Sequence, residues 1–435
     1  VATIIDQFDF NRYEVVKVSG LVDDPLRVVL DSGMANKPSS VDAFGRLRTS
    51  QPLTLFDSNH RYQDNGLWAT STASGGTVTF NSNQGLVDLA VTTTSGSKVY
   101  RETLKTFAYQ PGKSLLVMTT FVFSPAKVNL RQRVGYYSDS NGMYLELNGI
   151  GASSLSFVER SYVSGSVTET RISQANWNVD KLDGTGTSGM TLDPTKAQIL
   201  WMDIEWLGLG TVRMGFVIDG KFITCHQFHH ANLITSTYIT TACLPLRYEI
   251  ENTGTTASAS TLKQICSTVI SEGGYEIRGA QQGIGTPITT PTTLGTAGTY
   301  YPIVSLRLKT TRLDAVVILT ALSFMGITNN ANYNWQVRSG TVTIGGTWVS
   351  ASSTSSVEYN ITGTGLTDGR VLAQGYSSAS NQSVSSIDVL RDELFKFQLE
   401  RDSFTGTSYE LSLVASGSLL NAAVHGSMDF EEITR

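Results

Sequence analysis

The residues of this chain whose types and spacing could do chemistry fall into three groups. The first is the run Trp201-Met202-Asp203-Ile204-Glu205-Trp206. Side chains alternate along a strand, so Trp201, Asp203 and Glu205 would share one face. Two carboxylates on one face are what glycoside hydrolysis uses, one as general acid and one as base or nucleophile. The plainer reading, and the one we prefer, is a strand face with an acidic pair near solvent. The second group is Cys225-His226-Gln227-Phe228-His229-His230, which holds three of the five histidines. A zinc site needs about four converging ligands. On a strand His226 and His229 point to opposite faces, and only a turn after Phe228 would bring them together. The expectation is a strand end whose imidazoles bond to backbone or to a neighbouring chain. The third group is Trp68, Trp177, Trp335 and Trp348. An indole on a loop can stack on a sugar, but large aromatics in a sandwich more often fill a core or an interface. The candidate glycan or interface contacts are therefore Trp68, Trp177, Asp203, Glu205, Trp335 and Trp348. No GxSxG, no HExxH and no phosphate-cradling Gly-rich loop before a helix occurs. No catalytic residue, cofactor or metal is assigned.

These residues must be positioned by strands. The chain has 435 residues, enough for two or three domains with proper cores. Gly numbers 40, Tyr and Phe 17 each, and Pro only 10. Charged residues make up 16%, below the roughly 25% of an average chain. Abundant Ser and Thr with aromatics and small turn residues favour strands over helices. The net charge of −5 is spread without a basic block, which argues against nucleic-acid binding. Cys225, Cys243 and Cys266 are an odd three without CxxC spacing and read as reduced thiols. No run of eighteen apolar residues exists, so no membrane span is expected. Val1 to Arg12 carries Asp6, Asp9 and Arg12 and does not read as a signal peptide. A chain that works outside a cell without such a signal must leave by another route, of which release by lysis inside a virion assembled in the cytoplasm is one.

Residues 1–60 read as an extended docking arm, with strand signals at Tyr13–Val18 and Leu26–Leu30 and Gly, Pro, Ser and Asn between Asp31 and Arg48. A strand-swapped edge of the next domain is the alternative there. Residues 61–278 carry many short strand signals with turns between them, including Ser138–Gly142 and Asp219-Gly220. This spacing predicts a β-sandwich. Residues 279–299 are Gly, Thr and Pro with little apolar content and read as a linker. Residues 300–435 predict a second β-sandwich, with one helical turn at Ile387–Phe395 and a strand at Lys396–Arg401. The fold class is all-β, an N-terminal arm and two sandwiches, with no short-period repeat.

Residues 114–271 resemble a concanavalin or laminin-G type jelly roll, on a strand ending Asp203-Ile204-Glu205-Trp206-Leu207-Gly208, the strand Val212–Ile218, and then Asp219-Gly220-Lys221-Phe222. The first run also resembles the active-site strand of concanavalin-like glucanases, where Glu, Asp and Glu take alternate positions. Trp201 stands at the first of these, so the resemblance implies a site without its nucleophile. A second resemblance lies at Ser40–Ser58, around Asp42, Phe44, Arg46 and Arg48. This stretch is similar to a signature of an uncharacterised virion structural protein family of aquatic tailed phages. Asn329–Ser339 and His425–Arg435 are similar to the C-terminal part of that group.

The second resemblance implies a virion structural protein, a capsid decoration, spike or appendage that acts by binding and assembly without catalysis. Asp42, Phe44, Arg46 and Arg48 would be its docking motif toward other virion proteins. The alternative is a receptor-binding tail fibre or adhesin that recognises host surface glycans. Few charges, many aromatics and open sandwich edges predict a homo-oligomer, most simply a trimer.

Overall fold

The computed structural model describes residues 51–107, 109–151, 154–276, 278–367, 369–379, 386–389, 397–403 and 405–434. The chain divides into two units, 1–51 and 52–435, and every described strand belongs to the second. The strand signals expected at 13–18 and 26–30, and the motif residues Asp42, Phe44, Arg46 and Arg48, lie outside the described residues.

The described chain is all-β, with strands numbered in chain order. The first sandwich has an eight-stranded sheet in the spatial order β13 (Lys221–Phe228), β12 (Val212–Ile218), β11 (Gln198–Ile204), β6 (Leu115–Val122), β15 (Ser260–Ser271), β4 (Leu86–Val91) and β3 (Thr77–Asn81). Its eighth strand, β1 (Leu53–Ser58), pairs with the end of β15. The seven-stranded sheet facing it runs β10 (Thr168–Ser173), β9 (Leu155–Ser161), β8 (Gly142–Asn148), β7 (Leu130–Tyr137), β14 (Leu246–Asn252), β5 (Lys98–Thr103) and β2 (Trp68–Ala73). Strict alternation explains the layering. On β6, Leu115, Val117, Thr119 and Phe121 are buried while the residues between them are half-buried. They meet Val134, Tyr136, Leu145, Phe157 and Tyr248 from the other sheet in one core. The β12–β13 hairpin turns at Asp219-Gly220, with φ of +52° and +73°, a pair that suits a tight turn matching strand twist.

The second sandwich has a five-stranded sheet ordered β16 (Ala280–Gly285), β28 (Ala422–Thr434), β19 (Val316–Gly326) and β26 (Ser386–Val389), with β17 (Thr292–Leu294) also on β28. Its six-stranded sheet runs β22 (Val349–Ser350), β23 (Val357–Asn360), β18 (Tyr301–Leu308), β27 (Glu410–Gly417), β20 (Asn332–Thr341) and β25 (Arg370–Ser378). A small ribbon, β21 (Thr343–Ile344) with β24 (Gly365–Leu366), accompanies it. The only helical piece among the described residues is the 3-10 turn Gln174–Asn176.

Several expectations need correction. The stretch 279–299 is not a free linker: β16 and β17 both pair with β28. An edge strand needs backbone donors and acceptors more than apolar side chains, so poor apolar content did not preclude pairing. The 1–60 arm is not wholly separate either, because β1 completes the eight-stranded sheet. Where the expected helical turn at Ile387–Phe395 is described, at 386–389, the chain is strand, and 390–395 lie outside the described residues; Lys396–Arg401 forms only the isolated bridges Ile318–Gln398 and Arg401–Ser408 where it is described. The two sandwiches touch directly. Val316 and Ile318 pack with Cys243, Tyr275 and Ile433, Ser403 Oγ donates to the Thr103 carbonyl at 2.5 Å, and Lys105 pairs with Glu400.

Candidate functional site

Three of the four candidate tryptophans are core residues. Trp68 is buried, meets Phe56 and Tyr248 edge-on at 6.0 and 5.6 Å, and donates its indole N–H to Ser58 Oγ at 2.9 Å. Trp177 stacks on Phe157 at 4.4 Å and donates to the Ile172 carbonyl. Trp335 lies in the second core against Gly375, where a Cβ would come within 2.5 Å of the indole ring. Burial leaves these three no face for a ligand, because aromatic area is worth most inside. Trp348 is half-buried, with the Arg307 guanidinium 4.0 Å from its ring centroid.

The acidic pair does not converge. Trp201 and Asp203 share the outer face of β11, and both are buried. Trp201 lies over Gly215 on β12, where a Cβ would meet its indole nitrogen at 3.0 Å. Asp203 is ion-paired with Arg213, its direct cross-strand partner. Glu205 is exposed, one residue beyond the strand end. The histidine run is divided as well. His226 Nδ1 accepts from the Asn178 N–H at 3.3 Å, and His229 is exposed. His230 sits between the Gly210 carbonyl at 2.6 Å and Glu159 at 2.7 Å, stacked on Tyr238. Burial alone would lower its pKa, but the bonds to Glu159 and Gly210 carry it above the usual value. Among the described residues no three His, Cys, Asp or Glu side chains are placed to hold a metal. No disulfide pairs the cysteines, which are free.

Two outward sheet faces carry dense polar side chains. The first is the outer face of the seven-stranded sheet. There Arg133 and Arg247 flank Glu249 at 2.5 and 3.2 Å, Arg160 binds Glu169 at 2.6 Å, and Arg171 binds Glu146 at 2.9 Å. Tyr137 and Tyr144 lie among them with ring centroids 4.5 Å apart. Burial by itself would raise Glu169, but the Tyr144 hydroxyl and Arg160 bring it down to about 2. Burial would likewise raise Glu249, yet Arg133, Arg247 and Lys98 hold it well below the carboxylate range. Most of this face is buried, and its charges are matched internally.

The second is the β20–β25 side of the six-stranded sheet. Alternation on β20 sends Tyr333, Trp335 and Val337 into the core and Asn334, Gln336 and Arg338 outward. On β25, Gln374 and Tyr376 face outward beside their cross-strand partners Gln336 and Asn334. Gln336 Nε2 donates to Gln374 Oε1 at 3.1 Å and to the Tyr300 hydroxyl at 3.0 Å. Tyr300 donates to Asn334 Oδ1, and Asn334 Nδ2 to the Gly375 carbonyl at 3.1 Å. Arg338 donates to Gln336 Oε1 at 2.7 Å and lies 4.3 Å from the Tyr300 ring centroid. Tyr376 is 80% exposed. The result is a fixed row of amides with an open aromatic ring at its margin. Gln336 and Arg338 are buried and Asn334 is half-buried, so the groups open to a ligand are the Gln374 amide, which can meet a hydroxyl, and the Tyr376 ring, which can stack against an apolar sugar face. Sequence reasoning missed Tyr300, Asn334, Gln336, Arg338, Gln374 and Tyr376. The period-two polar pattern on both strands was the available signal.

No family model matches this chain, and no curated protein matches it. Among solved structures it is similar to peanut lectin with a nine-residue peptide, at 11% identity over 51% of this chain and 98% of that one, with a TM-score of 0.31. It is also similar to a mixed-linkage glucan GH16 protein of Bacteroides ovatus in complex with product, at 7% identity over 49% and 99%, with a TM-score of 0.33. A third is the CBM2 module of the evolved Dit of Lactobacillus casei BL23 phage J-1, at 6% identity over 53% and 100%, with a TM-score of 0.34. At these scores the likenesses carry no argument about function. The β-sandwich architecture rests on the sheets described above.

Proposed function

We propose that this chain is a non-catalytic, carbohydrate-binding component of a particle surface, of the kind a tailed phage presents to its host. The observation that carries the reading is the edge of the strip on β20 and β25, where Gln374 and Tyr376 stand exposed, Gln374 held by the buried Gln336 and Tyr376 beside the half-buried Asn334. Fixed amides lose little freedom on binding, so hydroxyl contacts there cost little ordering entropy. The absence of a reaction is supported by the pairing of Asp203 with Arg213 and by Glu205 lying beyond the strand. The virion setting is supported by the resemblances at Ser40–Ser58, Asn329–Ser339 and His425–Arg435. Docking through Asp42, Phe44, Arg46 and Arg48 and assembly as a homotrimer belong to the same proposal. No helix among the described residues is long and apolar enough to cross a membrane.

A glycan array probed with the native chain and with Tyr376→Ala tests the proposal. Binding to a defined set of glycans that falls at least tenfold in the variant supports it. An array without signal, or binding indifferent to Tyr376→Ala, removes the sheet strip as the site. Enzymatic release of reducing sugar from any bound glycan would overturn the non-catalytic part.

A further inference from the structure

We propose that the outward strip on β25 takes an extended oligosaccharide of at least three rings laid along the strand, rather than one terminal sugar. This rests on the sheet-strip reading and names the kind of ligand the strip holds. The strip is longer than Gln374 and Tyr376. Cross-strand partners share a face, so the register adds Asn332 with Ser378 at one end and Arg338 with Val371 at the other. A bulge makes the second addition possible. The register slips between Val337 and Arg338, Leu372 and Ala373 both pack toward the core, and Val371 joins the outward row although it lies an odd number of residues from Tyr376. Val371 is 44% exposed and Tyr376 80%, and Asn332, Gln374 and Ser378 are exposed as well.

The row has a floor and an inner wall. Tyr300 lies against the outward face of β20, its hydroxyl bonded to Asn334 and Gln336 and its ring centroid 4.3 Å from the Arg338 guanidinium. Gln336 holds the Gln374 amide oxygen at 3.1 Å, which leaves the Gln374 amide nitrogen to donate elsewhere. On the other side β25 is the last strand of its sheet among the described residues.

Length decides the ligand. Val371 and Tyr376 are separated by five positions of β25, which is roughly 15 Å along a strand. A pyranose ring is only about 5 Å across, close to one strand spacing. No single ring reaches both apolar surfaces. A chain of about three or four rings reaches both, with ring faces on Tyr376 and Val371 and hydroxyls at the Gln374 amide between them. One aromatic face and one amide leave little surplus over the cost of immobilising a ligand, and each further contact along the row adds to that surplus. Affinity therefore grows with the number of rings until the row is filled.

The test is calorimetric titration of the full chain with cello-, chito-, manno- and xylo-oligosaccharides of increasing length. The expected result is that at least one series binds, about tenfold more tightly at four rings than at two, and levels off in longer chains. Val371→Ser, or Val371→Ala if that variant fails to fold, should weaken the four-ring ligand at least threefold and leave the two-ring ligand unchanged. Tyr376→Ala should abolish binding of both. Equal affinity for one ring and for four, lost in Tyr376→Ala, overturns the inference and leaves the strip as a site for a terminal sugar. Length dependence untouched by the Val371 variant overturns it too. Binding of none of the four series overturns it, and the dependence of the glycan-array signal on Tyr376 then decides the strip reading by itself. Binding indifferent to Tyr376→Ala overturns both.

Discussion

Asp203 on β11 and Arg213 on β12 are direct cross-strand partners, and the carboxylate is buried beneath their ion pair. A carboxylate committed in this way is a structural group. Replacing both acids, Asp203→Asn with Glu205→Gln, should cost about 1–2 kcal/mol of stability, nearly all from Asp203, since Glu205 is exposed. Urea unfolding reads the cost. Glycan binding by the double variant should match the native chain, and a lost hydrolytic activity would contradict the assignment.

Gly135 allows the centre of the seven-stranded sheet to close. A Cβ there would sit 2.4 Å from the Met143 carbonyl oxygen and 2.6 Å from Tyr144 Cα on the neighbouring strand. Backbone cannot give way as a flexible side chain can. Gly135→Ala should therefore lose about 2–4 kcal/mol in denaturant unfolding. A loss below about 0.5 kcal/mol would mean that β7 and β8 separate more easily than their packing implies.

Two buried groups should give stability opposite pH slopes. Burial, with help from Arg101, lowers His60 from 6.5 to about 4. The unfolded chain then binds more protons between those values. This contribution is complete above pH 6.5 and is lost as pH falls toward 4. Burial raises Glu102 from 4.5 to about 7 against the pull of Arg247. The folded chain then keeps a proton that the unfolded chain releases. This contribution is complete below pH 4.5 and is lost as pH rises toward 7. Each slope is at most about 1.4 kcal/mol per pH unit. His60→Asn should remove the rising component and Glu102→Gln the falling one. Melting curves from pH 4 to 7.5 would show this, and unchanged slopes in either variant would refute its assignment.

The proposed trimer predicts a particle of three times 47.1 kDa by light scattering at micromolar concentration. A monomeric mass would remove the trimer and, with it, the gain in attachment strength from three linked docking arms.

Much of the fold was legible because sandwich strands write their environment into a period of two. On β6 and β20 the apolar residues name the core face directly, and Asp219-Gly220 names its own hairpin. The sequence alone also located Asp203 and Glu205 as the acidic pair and separated His226 from His229. It could not say that Arg213 comes to Asp203, because cross-strand partners follow from register and not from local spacing. Nor could it place 280–285 on β28, since an edge strand pairs through backbone groups common to all residues. The tryptophans were ambiguous for a similar reason. An indole suits a core and a sugar equally well, and only tertiary packing placed Trp68, Trp177 and Trp335 inside. A cavity between the two sandwiches is the extreme case. Tyr109, Trp206 and Arg312 are far apart in the chain, and they line it only because the two sandwiches dock through Cys243, Val316 and Ile318.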